Sequence, residues 1–252
     1  MNTAIKEAVQ QLADETSAIK KSEQFKAYLD TMARFWQYSY RNQILIHCQK
    51  QDASQVAGFV AWKKLGRRVK QGSKALRILA PFTGLDEEDK AYTYFMPVNV
   101  FDVSQTEGEE LPSLDVRLDG EDQKELFDSL LEFCSVKNIK VDFKDFGVNG
   151  LYGYSQGGSV KISSRDSLNT QVNTLVHEIA HELLHHPCDL TKLQKEIQAE
   201  GTAYVVCKHF GLETKSFTYL ALYEADADQI LENFEAIATA SKSIIEFVSE
   251  VD

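Results

Sequence analysis

The chain has 252 residues, and 43% of them are apolar, which is enough for one large domain or two modest domains with buried cores. Its formal net charge of −11 argues against a protein that binds nucleic acid over its whole surface. No apolar stretch approaches the roughly 20 residues that span a bilayer, and residues 1–25 lack the pattern of a signal peptide, so we expect a cytoplasmic protein without a membrane partner.

The first part of the chain predicts helices followed by short strands. Apolar residues recur at helical spacing from Ser22 to Phe35, and a second helical stretch covers Asn42 to Gln51. Turn-forming residues, among them Pro81 to Asp89, separate three runs that are rich in β-forming residues. These runs are Arg67 to Val69, Ala75 to Ala80 and Tyr92 to Val103. We therefore predict a small α+β domain.

Residues 104–116 indicate a boundary between two domains. The segment is acidic, contains glycine and proline, and shows neither helical nor strand periodicity. We therefore predict one domain over residues 1–112 and a second domain over residues 113–252.

The second domain is predicted to begin with a helix and strands and to end with three helices. A helical pattern covers Glu121 to Cys134, a strand pattern covers Ile139 to Phe143, and residues 156–158 predict a hairpin turn. The three later helices are expected at residues 170–186, 190–210 and 219–251. Gly211 lies where a helix-ending glycine belongs. Because strands precede helices without regular alternation, the predicted fold class is α+β.

A His-Glu-x-x-His motif lies within the first of these three helices. His177 and His181 are about one helical turn apart, so both imidazoles can reach one ion on the same face. Neutral imidazole nitrogens are common ligands of Zn²⁺ in open tetrahedral sites. An apolar stripe runs beside these histidines and predicts that their face forms the wall of a cleft. The sequence therefore predicts a zinc site.

The next helix offers two carboxylates as the third ligand. Glu196 and Glu200 fall on the same helical face as Ala199 and Cys207, where an unpaired carboxylate would be costly to bury. A metal ion, or a histidine that binds the metal, would compensate for that cost. We assign Glu196 as the ligand and Glu200 as the acceptor for the ring N–H of a ligand histidine, and the reverse assignment stays open. Three polar residues are expected to point away from this face: Lys192, Lys195 and Gln198.

Glu178, which follows the first histidine, is placed as a general base. Zinc lowers the pKa of a water towards about 7, and a carboxylate beside it can take the proton and pass it to a leaving amine. This chemistry is peptide-bond hydrolysis, so the motif predicts a zinc metallopeptidase. Two alternatives stay open, namely a metal site without proteolytic activity and a motif on an ordinary exposed helix.

Further residues near the motif have open assignments. His185 and His186 are either spare ligands or solvated residues at the helix end, and Tyr204 or Tyr219 is a candidate for stabilising an oxyanion. Residues 158–162 form either an edge strand that pairs with an extended peptide or part of an ordinary hairpin.

A run of positive charge lies in the first domain. Residues 53–85 contain no acidic residue and seven basic ones: Lys63, Lys64, Arg67, Arg68, Lys70, Lys74 and Arg77. The run is either an ordinary solvated face or a surface for an anionic partner, because the local field and not the net charge decides what docks.

Both halves of the chain resemble known families. The C-terminal half resembles the gluzincin-like metallopeptidase domain of the ImmA/IrrE family in residues 174–186 (TLVHEIAHELLHH) and 195–212 (KEIQAEGTAYVVCKHFGL). The N-terminal half is similar to the single-stranded-DNA-binding domain of ArdC-type antirestriction proteins in residues 38–46 (YSYRNQILI), 58–81 (GFVAWKKLGRRVKQGSKALRILAP) and 100–108 (VFDVSQTEG). The order of the two modules is also that of the family.

This resemblance implies a zincin-like peptidase domain in which the ExxAE arrangement makes Glu196 a ligand, preceded by a module that binds single-stranded DNA. It also implies a protein of a mobile genetic element that acts in antirestriction or cleaves a repressor. Within the module, aromatic side chains among cations would stack on bases while the seven cations neutralise phosphates. The candidates besides those cations are Tyr40, Arg41 and Trp62, and Trp62 as a core residue stays open.

Two hypotheses therefore compete. The first is a zinc peptidase whose N-terminal module places it on DNA, and the second is a non-proteolytic single-stranded-DNA-binding protein with a structural zinc site. Glu178 favours the enzyme, because a purely structural site needs no general base.

Overall fold

The computed structural model describes residues 3–14, 18–85, 89–109, 122–147, 151–186, 188–212 and 226–251. Its contacts divide the chain into two compact units, one of residues 1–8 and 41–114 and the other of residues 9–40 and 115–252. The predicted boundary between residues 112 and 113 lies close to residues 114 and 115, where the first unit ends and the second unit resumes. Residues 9–40 lie in the same contact unit as residues 115–252, and the division into domains of residues 1–112 and 113–252 stays a prediction.

The elements mix helices and strands without regular alternation. Up to residue 109 they are α1 (Thr3–Asp14), α2 (Ala18–Arg34), α3 (Tyr40–Gln49), β1 (Val56–Ala57), α4 (Phe59–Lys64), β2 (Arg67–Val69), β3 (Leu76–Leu85), β4 (Ala91–Asp102) and β5 (Thr106–Gly108). After residue 121 they are α5 (Asp122–Val136), β6 (Lys140–Lys144), β7 (Gly153–Ser155), β8 (Ser159–Ser163), α6 (Leu168–Leu184), α7 (Lys192–His209) and α8 (Ala227–Val251). The α+β prediction is confirmed. Every helix in these ranges is too short or too polar to span a bilayer.

A long antiparallel hairpin of β3 and β4 dominates the first unit, with β1 on the far side of β4 and a separate pair of β2 and β5. The sequence pattern predicted a break at Pro81, but β3 continues to Leu85. Leu79, two residues earlier, directs its N–H and C=O away from β4 to the side chain of Asn42. Because the backbone N–H and C=O groups of successive strand residues point to opposite edges, those of position 81 also point away from β4. The missing N–H of Pro81 therefore removes no hydrogen bond to β4.

Side chains of α3 occupy the outer edge of β3. The carboxamide of Asn42 donates to the carbonyl of Leu79 and accepts from its N–H, both at 2.8 Å. The carboxamide of Gln49 pairs in the same way with Arg77, at 2.9 Å in both directions. Pro97 of β4 is the register partner of Leu79. The strand edge is therefore satisfied by side chains over these two residues.

The second unit packs helices on a three-stranded sheet. β8 lies in the centre, parallel to β6 and antiparallel to β7, and the predicted hairpin turn between β7 and β8 is confirmed. α6 packs on α7 and on the two strands β7 and β8, and α7 packs on α2 and α8. Phe25 of α2 stacks on Phe234 of α8 at 4.9 Å, which explains why residues 9–40 belong to this unit.

Capping interactions fix the ends of the two central helices. Ser167 caps α6, and Thr191 forms a capping box with Gln194 at the start of α7. At the other end of α7, Gly211 takes φ 73°, and the N–H of Leu212 donates to the carbonyl of Cys207 at 2.8 Å. This is the left-handed ending that the glycine predicted.

Candidate metal centre and cationic surface

α6 and α7 bring three potential metal ligands together. Nitrogens of His177 and His181 and a carboxylate oxygen of Glu196 all lie within 4.8 Å of one another. The two Nε2 atoms are 3.0 Å apart, and each lies 3.5 to 3.8 Å from an oxygen of Glu196. The three side chains are only partly buried. One ion could therefore contact all three and still be reached from solvent.

Glu200 lies on the opposite side of the first imidazole. Its Oε1 is 3.5 Å from Nδ1 of His177, whereas Glu196 approaches Nε2 of the same ring. This placement favours Glu196 as a ligand and Glu200 as the acceptor that orients His177, because a ligand imidazole donates its other N–H to such a group.

Burial and neighbouring charge shift the pKa values of the candidate ligands in different directions. Burial lowers the pKa of His177, but the hydrogen bond to Glu196 and the nearby carboxylates outweigh it and raise the value. Burial and the charge of His177 lower the pKa of His181 to about 4. The hydrogen bond to His177 lowers the pKa of Glu196. Near neutral pH, His181 and Glu196 thus have the protonation states that metal binding requires.

Glu178 is 6% exposed and lies against β7. Burial, opposed by the charge of His177, raises the pKa of this carboxyl to about 7, and Ser155 forms a hydrogen bond with it. A Cβ added to Gly153 would lie 3.4 Å from Cγ of Glu178 and 2.6 Å from Cγ2 of Thr174, so only glycine lets β7 approach α6 this closely. A pKa near 7 suits a group that both accepts and donates a proton at neutral pH.

His185 and Gln198 differ from their expected positions. His185 is neither solvated nor among the ligands: it is 4% exposed, and its Nδ1 lies 2.8 Å from Nδ1 of His181. Gln198, expected to point away, is also 4% exposed and binds Nε2 of His185 at 3.1 Å and Asn233 at 3.0 Å. The error has a physical reason, since α8 packs on that face of α7 and buries it.

Other candidates take different places. The hydroxyl of Tyr204 donates to Asp30 of α2. The group that was expected to stabilise an oxyanion is therefore already engaged in a hydrogen bond. Tyr219 lies outside the described residues, and His186 is exposed. Residues 159–162 belong to the central strand β8, with partners on both sides, so they cannot be an edge strand. The edge strands of this sheet are β6 and β7, and β7 is the one that packs against α6.

In the first unit, α4 and β2 place several cations around an open cleft of about 550 Å³. The cleft is lined by Lys63, Gly66, Arg67, Arg68, Glu107 and Gly108. Arg68 forms a 2.7 Å ion pair with Glu107, and Nε of Arg67 donates to Thr106 at 2.8 Å. Two of the cations are therefore held in place by β5.

The remaining predicted DNA-binding residues are mostly on the surface, with one exception. Trp62 is 2% exposed and its indole N–H donates to the carbonyl of Phe101 at 2.8 Å, so it belongs to the core and cannot stack on a base. The aromatic ring that α4 exposes is that of Phe59, at 57%. The other exposed candidates are Arg41, Lys63, Lys64, Arg68, Lys70, Lys74 and Arg77, whereas Tyr40 and Arg67 are half-buried.

Two family models match the chain, one in each half. Residues 2–117 match the N-terminal domain of anti-restriction factor ArdC, and residues 134–238 match the peptidase M78 model, described as an IrrE N-terminal-like domain. The uncharacterized protein pXO2-81 of Bacillus anthracis is 26% identical over 295 residues, which cover 96% of this chain and 50% of that protein. The chain thus spans about half the length of this relative.

Two solved structures share the fold. The metal-free crystal structure of the antirestriction ArdC protein from plasmid R388 has a TM-score of 0.57 at 17% identity, covering 96% of this chain and 98% of that chain. The Mn(II)-bound structure of the same protein has a TM-score of 0.54 at 18% identity, covering 84% of each chain.

Proposed function

Because the chain combines an ArdC-type N-terminal domain with an IrrE-like domain of the peptidase M78 type, we propose that it is a zinc-dependent metallopeptidase with a module that binds single-stranded DNA. The observation that carries the proposal is the convergence of His177, His181 and Glu196 beside the buried carboxyl of Glu178. The antirestriction protein that shares its fold supports a role in a mobile genetic element, either in antirestriction or in cleavage of a repressor.

The donor set fits zinc. Two imidazoles and one glutamate form the ligand set of several catalytic zinc sites, which keep a further position open. A bound zinc ion would supply a water of lowered pKa and polarise the carbonyl of the scissile peptide. Glu200 would hold His177 by its Nδ1–H and so keep Nε2 directed at the ion.

Glu178 would move the proton during hydrolysis. Its carboxylate accepts a proton from the attacking water and then donates it to the leaving amine nitrogen. In the metal-free chain burial raises the pKa of Glu178 to about 7, which favours the second transfer, in which the carboxyl donates. The hydrogen bond from Ser155 fixes the carboxyl against β7.

The edge strand β7 offers the substrate a place to bind. It pairs with β8 on one side, and its backbone lies against α6 beside Glu178. Among the described residues, no strand pairs with the other side of β7. An extended peptide that adds to that side would present its backbone to His177, His181 and Glu196. The proposed substrate is therefore an extended segment of a protein.

The cationic surface supports binding of single-stranded DNA. Lys63, Arg67 and Arg68 line one open cleft, in which Glu107 is paired with Arg68, and no acidic residue occurs between residues 53 and 85. Phe59, one helical turn before Lys63, offers the exposed ring that Trp62 does not. Cations that neutralise phosphates and a ring that stacks on a base are the usual means of holding a single strand.

A second candidate function is a non-proteolytic, single-stranded-DNA-binding antirestriction protein with a structural metal site. The observation in its favour is that the fold likeness to an antirestriction protein covers 96% of the chain, including the peptidase-like domain. The buried carboxyl of Glu178 favours the enzyme over this candidate.

One experiment separates the two candidates. Purified chain of known metal content is incubated with a repressor encoded by the same mobile element, with and without single-stranded DNA, and the fragments are identified by mass spectrometry. Cleavage by the natural chain but not by Glu178→Gln supports the peptidase. Full metal content and DNA binding without cleavage in any arm would support the non-proteolytic protein.

A further inference from the structure

A hydrogen-bonded chain of buried side chains runs from His181 to α8. Nδ1 of His181 lies 2.8 Å from Nδ1 of His185, and Nε2 of His185 lies 3.1 Å from Oε1 of Gln198. Nε2 of Gln198 donates to Oδ1 of Asn233 at 3.0 Å. His185, Gln198 and Asn233 are exposed by 4%, 4% and 2%. These hydrogen bonds therefore join α6, α7 and α8 through three almost fully buried polar side chains.

The orientation of each group fixes the orientation of the next. Gln198 uses its NH₂ on Asn233 and so presents its oxygen to His185, which must donate from Nε2. A neutral imidazole has one donor and one acceptor, so Nδ1 of His185 is then an acceptor. Nδ1 of His181 must accordingly carry the proton in their shared 2.8 Å contact.

From this geometry we infer that Gln198 and Asn233 are positioning residues that set the tautomer of His181. With the proton on Nδ1, the lone pair of His181 is on Nε2, the atom that faces His177 and Glu196. The opposite direction of the chain would place a proton on Nε2 and block it as a ligand. Asn233, on α8, thus prepares a ligand on α6 without touching it.

The two ligand histidines are oriented by different chemistry. His177 has the carboxylate of Glu200 at its Nδ1, whereas His181 has a second imidazole backed by two carboxamides. A carboxylate can only accept, so it fixes the direction of its bond by itself. An imidazole can do either, and for His181 the direction comes from Gln198 and Asn233. This inference rests on the proposed metal site.

The test measures the tautomer in metal-free protein and zinc affinity in the same variants. Nitrogen-15 NMR of the histidine rings in the full chain should show an unprotonated Nε2 for His181. Gln198→Leu removes the acceptor for His185 and should abolish this preference and weaken zinc binding by about 10- to 100-fold in competition with a chelating dye. Gln198→Glu keeps an acceptor oxygen and should restore both properties.

Thr202→Val is the matched control. Thr202 is buried on the same helix, but its hydroxyl donates to the backbone carbonyl of residue 198 and takes no part in the hydrogen bonds from His181 to Asn233. A protonated Nε2 in the natural protein would overturn the inference. So would a Gln198→Leu variant that behaves like Thr202→Val. If Gln198→Leu does not fold, the natural protein and Gln198→Glu decide. If His181 has the expected tautomer but the protein binds no zinc, the proposed function is refuted, whereas the control of that tautomer by Gln198 and Asn233 is not.

Discussion

The metal centre and the cationic surface differ in how firmly the fold determines their side chains. At the metal centre, helix spacing places His177 and His181 on one face, and each ring has polar partners at both nitrogens. On the cationic surface, Lys63 and Lys64 are exposed, and Trp62, the aromatic residue next to these lysines in the sequence, turns into the core. A charge pattern therefore locates a surface but does not say which ring that surface exposes.

The largest expected effect tests whether the metal centre is catalytic. Glu178→Gln should keep zinc and the fold but lower the rate of peptide cleavage by about 10²- to 10⁴-fold, because it removes a proton acceptor and no ligand. Metal analysis and a cleavage assay on the same preparation give both quantities. Unchanged turnover would show that another group acts as the base.

The next effect tests the ligand assignment. Glu196→Ala should weaken zinc binding by more than about 100-fold, whereas Glu200→Ala should weaken it by about 10- to 100-fold, as expected for an orienting group. The exposed Glu235 of α8 provides a control, and Glu235→Ala should have no effect; Glu213, the obvious alternative, lies outside the described residues. Full zinc retention in Glu196→Ala together with loss in Glu200→Ala would exchange the two roles.

The cationic surface can be broken without touching the metal centre. Reversing Lys63, Lys64, Arg67 and Arg68 to Glu should abolish binding of a labelled single-stranded oligonucleotide and leave the zinc content unchanged. In the natural protein, log affinity should fall linearly with log salt by about 0.7 per phosphate neutralised. Anisotropy titrations of the full chain at two salt concentrations measure both. Binding that ignores salt, or that survives the four reversals, would refute this surface.

Changing pH should alter the stability of the metal centre through Glu178. Burial raises the pKa of this carboxyl to about 7 in the folded protein. The stability that Glu178 contributes is therefore fully present below the pKa of the group in the unfolded chain, and it is lost as pH rises through 7. Between pH 5 and 8, the metal-free natural protein should lose up to about 3 kcal/mol relative to Glu178→Gln. Urea unfolding in the presence of a chelator measures this difference. Parallel pH profiles would contradict a raised pKa.

The smallest expected effect on DNA binding distinguishes the two aromatic residues of α4. Phe59→Ala should weaken single-strand binding by about 1–3 kcal/mol if one base stacks there, with little change in unfolding. Trp62→Ala should instead destabilise the fold by about 3–5 kcal/mol. Phe82→Ala removes another exposed ring, on β3 and four residues before a run of acidic residues in the sequence, and serves as the control. Equal losses in Phe59→Ala and Phe82→Ala would argue against a specific role for Phe59.

Periodicity along single helices made much of the metal centre predictable. The four-residue spacings of His177 with His181 and of Glu196 with Glu200 each define one helical face, and the structure brings these faces together. The role of Gln198 could not be predicted from the sequence. Gln198 shares its side of α7 with Lys192 and Lys195, which suggested an exposed face, but α8 packs there and buries Gln198. The only available signal was His185, which continues the spacing of the motif.

The first unit was less predictable, because the sequence did not show which side chains of α4 are buried. Helical spacing places both Trp62 and Lys63 next to Phe59 on α4, and six residues are too few to show which of these side chains is covered. In the second unit, the packing of α2 against α7 and α8 was not predictable, because no local pattern identifies a partner so distant in sequence.

The side chains of Asn42 and Gln49 also bear on how the protein behaves in a crowded cell. Long ribbons with open backbone edges recruit strands from neighbouring molecules and can start fibres. Along β3, two carboxamides of α3 occupy the peptide groups of Arg77 and Leu79, and Pro81 has no N–H to offer next. Over residues 77–81, the outer edge of β3 therefore offers few backbone groups to a strand of another molecule.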